Sequence, residues 1–169
     1  VSDILERSLS FTVDAYDFDG TMVSAIKDSE IVDRGVARVR YVPYFSGEGD
    51  QERVTDAKVT CEHVLWRDFR RGPGRFWGEV PWIAFRHYLS KDELTKLVAD
   101  TQPPIDIEAI PFNYSSDGTS SDRAKDAKAD VFKRAMVWEA WAKDEKSVLF
   151  ICQDYRERVL KAEDDPLQL

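Results

Sequence analysis

Arg134-Ala135-Met136-Val137-Trp138-Glu139-Ala140-Trp141-Ala142-Lys143-Asp144-Glu145-Lys146-Ser147-Val148-Leu149-Phe150-Ile151-Cys152-Gln153 alternates, turns and returns. Met136, Trp138 and Ala140 fall on one side of an extended chain and Val137, Glu139 and Trp141 on the other, the period of two that a strand requires. Lys143 to Lys146 then reverses the chain, and Val148 to Cys152 comes back almost wholly apolar. So short a connection joins antiparallel strands, because parallel neighbours need a crossover of about a dozen residues or more.

Working back from this hairpin, Asp122 to Phe132 is rich in Ala, Lys and Asp and is expected to form a polar helix, and Gln102 to Ser121 reads as a loop. Ser90-Lys91-Asp92-Glu93 is a capping box that launches a short helix carrying Leu94, Leu97 and Val98, and Pro81 to Leu89 is a strand. Arg67-Asp68-Phe69-Arg70-Arg71-Gly72-Pro73-Gly74-Arg75-Phe76-Trp77 reads as turn-rich. Val36 to Phe45 places Ala37, Val39 and Tyr41 opposite Arg38 and Arg40, and Lys58 to Trp66 places Val59, Cys61, His63 and Leu65 opposite Lys58, Thr60 and Glu62. A second antiparallel hairpin, with Glu62 near Arg38 or Arg40, is the economical arrangement. Apolar residues from Ile4 to Ile31 recur at spacings of three, four and seven, predicting one long helix or two with a break near Gly20. Asp33-Arg34-Gly35 supplies the stop, with Gly35 expected at positive φ.

The sum is α+β: an N-terminal helix followed by antiparallel hairpins with short interspersed helices. It reads as a single domain over 1–169, helical over 1–34 and mainly antiparallel β over 35–169, with helices near 90–100 and 122–132 and no internal repeat.

The 169 residues suffice for one ordinary domain. Lys and Arg number 24 against 32 Asp and Glu, a net charge of −8, so the chain as a whole lacks the basic footprint of a phosphate-backbone binder. Five Trp and nine Phe exclude a disordered acidic tail, and no apolar run approaches the roughly 20 residues of a membrane helix. Cys61 and Cys152 have neither zinc-ligand nor redox spacing, so a reducing compartment is the simplest reading. The chain starts at Val1 without a signal segment and stops at Leu169 without a tail signature, and reads as an excised piece of something longer.

Three groups of residues invite chemistry. Asp17-Phe18-Asp19-Gly20-Thr21 resembles the DxDGT signature of haloacid-dehalogenase-type phosphatases, where the first Asp attacks phosphorus, the second acts as acid–base and Mg²⁺ neutralises charge. That family needs parallel strands and a buried strand before the motif, whereas Ser10 to Tyr16 continues a helical pattern and the later pair Asp164-Asp165 has no strand leading into it. The favoured reading is a helix interrupted near Gly20, with Asp17 and Asp19 catalytic only under the alternative. His63 and His87 both fall on apolar strand faces and are read as hydrogen-bonded core histidines ahead of a metal or acid–base pair. Arg67, Arg70, Arg71 and Arg75, interleaved with Phe69, Phe76 and Trp77, form a candidate basic patch for an intersubunit contact or for DNA, the intersubunit role being favoured by the net charge of −8.

The order of the blocks resembles the portal (head-to-tail connector) proteins of short-tailed bacteriophages and prophages. The pieces are the acidic N-terminal helix running into Asp33-Arg34-Gly35-Val36-Ala37-Arg38-Val39-Arg40-Tyr41, then Glu62-His63-Val64-Leu65-Trp66-Arg67-Asp68-Phe69. Trp77-Gly78-Glu79-Val80-Pro81-Trp82-Ile83-Ala84-Phe85-Arg86, the helix start Leu89-Ser90-Lys91-Asp92-Glu93-Leu94, and Val137-Trp138-Glu139-Ala140-Trp141 follow. The resemblance implies a piece of the peripheral wing region of a ring subunit, usually twelve-fold, through which DNA enters and leaves the capsid. It implies no catalytic set, cofactor or metal, since the ATP chemistry belongs to the terminase. The implied partners are further copies of the chain, capsid, scaffold, terminase and tail or adaptor proteins, and DNA passing without sequence-specific binding, with no membrane. The implied location is the virion and, during assembly, the host bacterial cytoplasm.

Overall fold

The structure, a computed structural model, describes residues 2–15, 17–46, 53–115 and 133–165. The expected helix over 122–132 lies outside them. The fold is α+β, with helices first and antiparallel strands after, as the alternation requires. Where the sequence reads as one domain, the chain forms two compact units, Val1–Arg67 and Asp68–Leu169.

In the first unit, α1 (Ser2–Ala15) and α2 (Phe18–Val32) realise the second expected alternative, two helices with a break near Gly20. The break falls at Asp17, which takes the left-handed conformation (φ 49°, ψ 47°), three residues before Gly20 in the first turn of α2. A Cβ on Gly20 would meet the Asp17 carboxylate, the end of a side chain that can swing aside. The end of α2 departs from expectation. Asp33, not Gly35, adopts the positive φ (59°) that ends the helix, as Asp tolerates better than most residues. A Cβ on Gly35 would overlap the carbonyl oxygen of Ala25, so Gly35 serves close approach of two backbone segments.

Strands β1 (Val36–Ser46) and β2 (Arg53–Val64) pair antiparallel in a sheet of two, with Arg38 opposite Glu62, Tyr41 opposite Val59 and a bulge at Tyr44/Phe45. The expected ion pair forms diagonally, Arg40 Nη1 donating to Glu62 Oε2 at 3.4 Å. A two-stranded sheet of this kind needs a covering layer. Helix α2 supplies part of one: the Thr21 hydroxyl donates to the Cys61 carbonyl at 3.0 Å, and Ala25 and Asp28 are buried.

The second unit is a five-stranded antiparallel sheet in the order β3 (Phe69–Arg71), β4 (Trp82–Leu89), β5 (Ala135–Ala142), β6 (Ser147–Cys152), β7 (Lys161–Asp164). The hairpin of β5 and β6 is its centre, with Val137 opposite Cys152 and Trp141 opposite Val148. Both outer strands escape the periodicity. β3 sits inside the segment read as turn-rich, and β7 leads into Asp164-Asp165, where no strand was expected. They are three and four residues long, too short to display a period of two, and their partners define them.

Helix α3 (Lys91–Val98) begins with the predicted capping box, Ser90 accepting from the Glu93 N–H while the Glu93 carboxylate accepts from the Ser90 N–H at 2.8 Å. Leu94 and Val98, one turn apart, are buried with Ile110, Ala135, Val137, Cys152, Tyr155 and Leu160 in the core of this unit. Phe69 and Phe85, directly opposite on β3 and β4, extend the same sheet face with their rings 5.5 Å apart.

Candidate functional site

Helix α2 carries Asp28 on its inner side, and strand alternation turns His63 toward it. His63 Nε2 lies 2.9 Å from Asp28 Oδ2, which also accepts the backbone N–H of Trp66 at 3.3 Å. Asp28 is buried, so this pair ties the helix to the end of β2.

His87, on β4, sits one diagonal step from Glu139 on β5. Its Nε2 lies 2.7 Å from Glu139 Oε2, while Glu139 Oε1 accepts the indole N–H of Trp141 at 2.8 Å. Glu139 is 8% exposed, and both of its oxygens are engaged, which is how a buried carboxylate avoids the cost of desolvation. The two histidines therefore bond carboxylates within their own units. Asp28 and Glu139 escaped the sequence reading. The signal for Glu139 was present: it is the sole charged residue in the run Ala135–Ala142.

Asp17 and Asp19 lie at the junction and first turn of α2, where the Thr21 N–H donates to the Asp17 carbonyl at 3.1 Å. Among the described residues, no group of three or more His, Cys, Asp or Glu is arranged to hold a metal ion.

On β3, Arg70 and Arg71 do not converge. Because β3 is a strand, Arg70 and Arg71 point to opposite faces. Arg70 lies over the Trp138 ring, 5.8 Å from its centroid, whereas Arg71 donates to the Gly74 carbonyl at 3.1 Å. Arg67 covers Trp66, and the Arg75 backbone N–H is held by Glu79. The sheet recruits an arginine outside the cluster instead. Arg86 lies over both Tyr88 and Trp138, at 5.3 and 5.6 Å, with Nε and Nη2 donating to Asp68 Oδ1. Such stacked, charge-compensated guanidinium groups hold a sheet surface rigid.

No family model and no curated protein matches this chain. Function is therefore argued from its own surfaces. The first unit exposes large apolar side chains: Leu9 and Phe11 on α1, and Val39 and Tyr41 on β1, are 64–70% exposed. On β1 and β2, Val39, Tyr41 and Val59 share one face, beyond the end that α2 covers. No described helix is long and apolar enough to cross a membrane.

Proposed function

We propose that the chain is part of a structural subunit of a phage or prophage portal ring, the conduit through which DNA is packaged into a capsid and later leaves it. The observation that carries this reading is the apolar surface of the first unit, where Leu9 and Phe11 on α1 and Val39 and Tyr41 on β1 stand 64–70% exposed. Its contiguous part, Val39, Tyr41 and Val59 on one face of β1 and β2, has the character of a protein–protein interface, and a ring subunit uses two such surfaces, one toward each neighbour. The order of sequence blocks from the acidic N-terminal helix to Val137-Trp138-Glu139-Ala140-Trp141 supports the same reading. Its net charge of −8 suits a conduit along which DNA slides without being held.

In this role the chain performs no catalysis and works with capsid, scaffold, terminase and tail or adaptor proteins in the virion. Twelve-fold symmetry is the expected closure. The test is electron microscopy of the intact gene product beside its Leu9→Asp variant. Annular particles from the wild type, lost in the variant while its circular dichroism is retained, are the expected result. A folded wild-type protein that stays monomeric at every concentration overturns the proposal.

A further inference from the structure

Helix α1 carries Ile4, Arg7, Phe11 and Asp14 at spacings of three, four and three, which line up on one side of the helix. All four are exposed, Ile4 at 72% and Phe11 at 70%. Along the helix axis, Phe11 stands between a cation about 6 Å before it and an anion about 4.5 Å after it. A helix that lies on a membrane carries Lys and Arg on its polar face, whereas in α1 Asp3, Glu6 and Asp14 outnumber Arg7. The apolar residues of this helix call instead for a protein partner.

The second unit holds an apolar cleft of about 340 Å³ at one end of its sheet. Ile83 and Trp141, directly opposite each other on β4 and β5, line it together with Val80 and Trp77, which is 68% exposed on the helical turn Trp77–Glu79. The Trp141 N–H is already donated to Glu139 Oε1, so this indole offers the cleft apolar surface. A cavity of roughly 150 Å³ holds a benzene ring, so the cleft admits a phenyl group and part of the element that carries it. Its charged lining is one residue of each sign: Asp165, and Lys143, whose Nζ donates to the Gly78 carbonyl at 2.8 Å.

We propose that this cleft receives Phe11 from α1 of a second copy of the chain. Charge complementarity names the occupant: the phenyl group arrives flanked by Arg7 and Asp14, and the cleft offers Asp165 and Lys143. One direction of the helix brings Arg7 to Asp165 and Asp14 to Lys143, and the reverse direction sets like charges against each other. Burial of the ring against apolar side chains supplies the affinity, and the exposed charges set the orientation. The contact is head-to-tail, so each joined copy still has a free α1 or a free cleft, and repetition with rotation closes a ring. The inference rests on the reading of the chain as a ring subunit and names the contact between neighbours.

A complementation experiment tests it, with sedimentation of the whole chain read over a range of concentrations. Phe11→Asp and Trp77→Asp change exposed side chains, so both proteins should keep wild-type circular dichroism and thermal unfolding while remaining monomeric. Mixed in equal amounts, they should form dimers and nothing larger, because the mixture retains one intact α1 and one intact cleft per pair. The milder Phe11→Ala should weaken assembly about tenfold. Arg7→Asp should weaken it by up to about fivefold, and Asp165→Arg on the same chain should restore it. Wild-type assembly by a folded Trp77→Asp protein, a mixture of folded variants that stays monomeric, or no restoration by Asp165→Arg each overturns this contact and leaves the ring reading standing. A folded wild type that is monomeric at every concentration overturns both.

Discussion

At the scale of single residues, several side chains are fixed by contacts their sequence neighbours do not reveal. Gly35 is one. Replacing it with Ala drives a methyl group into the Ala25 carbonyl, a backbone atom that cannot rotate away, so Gly35→Ala should cost about 1–3 kcal/mol in urea unfolding. Glu139 is another, because one carboxylate serves both His87 and the Trp141 indole. Glu139→Ala withdraws both acceptors and is expected to destabilise by about 1–3 kcal/mol, with Glu139→Gln losing less. The capping box makes a pH-dependent prediction. Hydrogen bonds from the Ser90 backbone and hydroxyl hold the Glu93 carboxyl below its ordinary value. A depressed carboxyl contributes stability above its unfolded value and loses it as the pH falls through the folded one. Ser90→Ala should therefore cost about 1 kcal/mol at neutral pH, and the gap from wild type should narrow below the carboxylate range. Cys152 is buried and its thiol pushed up by that burial, so a thiol reagent should modify Cys61 in the folded protein and reach Cys152 only after unfolding.

At the scale of elements, α3 and the hairpin of β5 and β6 were legible in advance because each carries its own instructions. A capping box precedes apolar residues at helical spacing, and an alternating run precedes a polar turn. Leu94 is fully buried where these elements meet, so Leu94→Ala should cost about 2–5 kcal/mol in the same unfolding assay. Strands β3 and β7 carry no such instructions. They exist because β4 and β6 offer free edges to pair with. Amide exchange should accordingly be slowest in β5, the central strand, and fastest in β3 and β7 at the margins. The missed β3 also explains why the arginine cluster looked like one patch: a turn can gather Arg70 and Arg71, whereas a strand separates them.

At the scale of the whole molecule, the net charge of −8 opposes association while the apolar face of the first unit favours it. Added salt screens the first and leaves the second, so sedimentation should show the proposed assembly growing with ionic strength. Weakening with salt would instead point to charge-driven contacts. The sequence by itself determined the α+β class, the two hairpins, the capped helix and the apolar faces, since periodicity and capping are local properties of the chain. Only the tertiary structure decided that Asp28 and Glu139 hold the two histidines, that Arg86 joins Arg70 over Trp138, and that Gly35 serves packing. Such contacts join residues up to 65 positions apart, as in the bond from Lys143 to the Gly78 carbonyl, and no local pattern encodes contacts at that range.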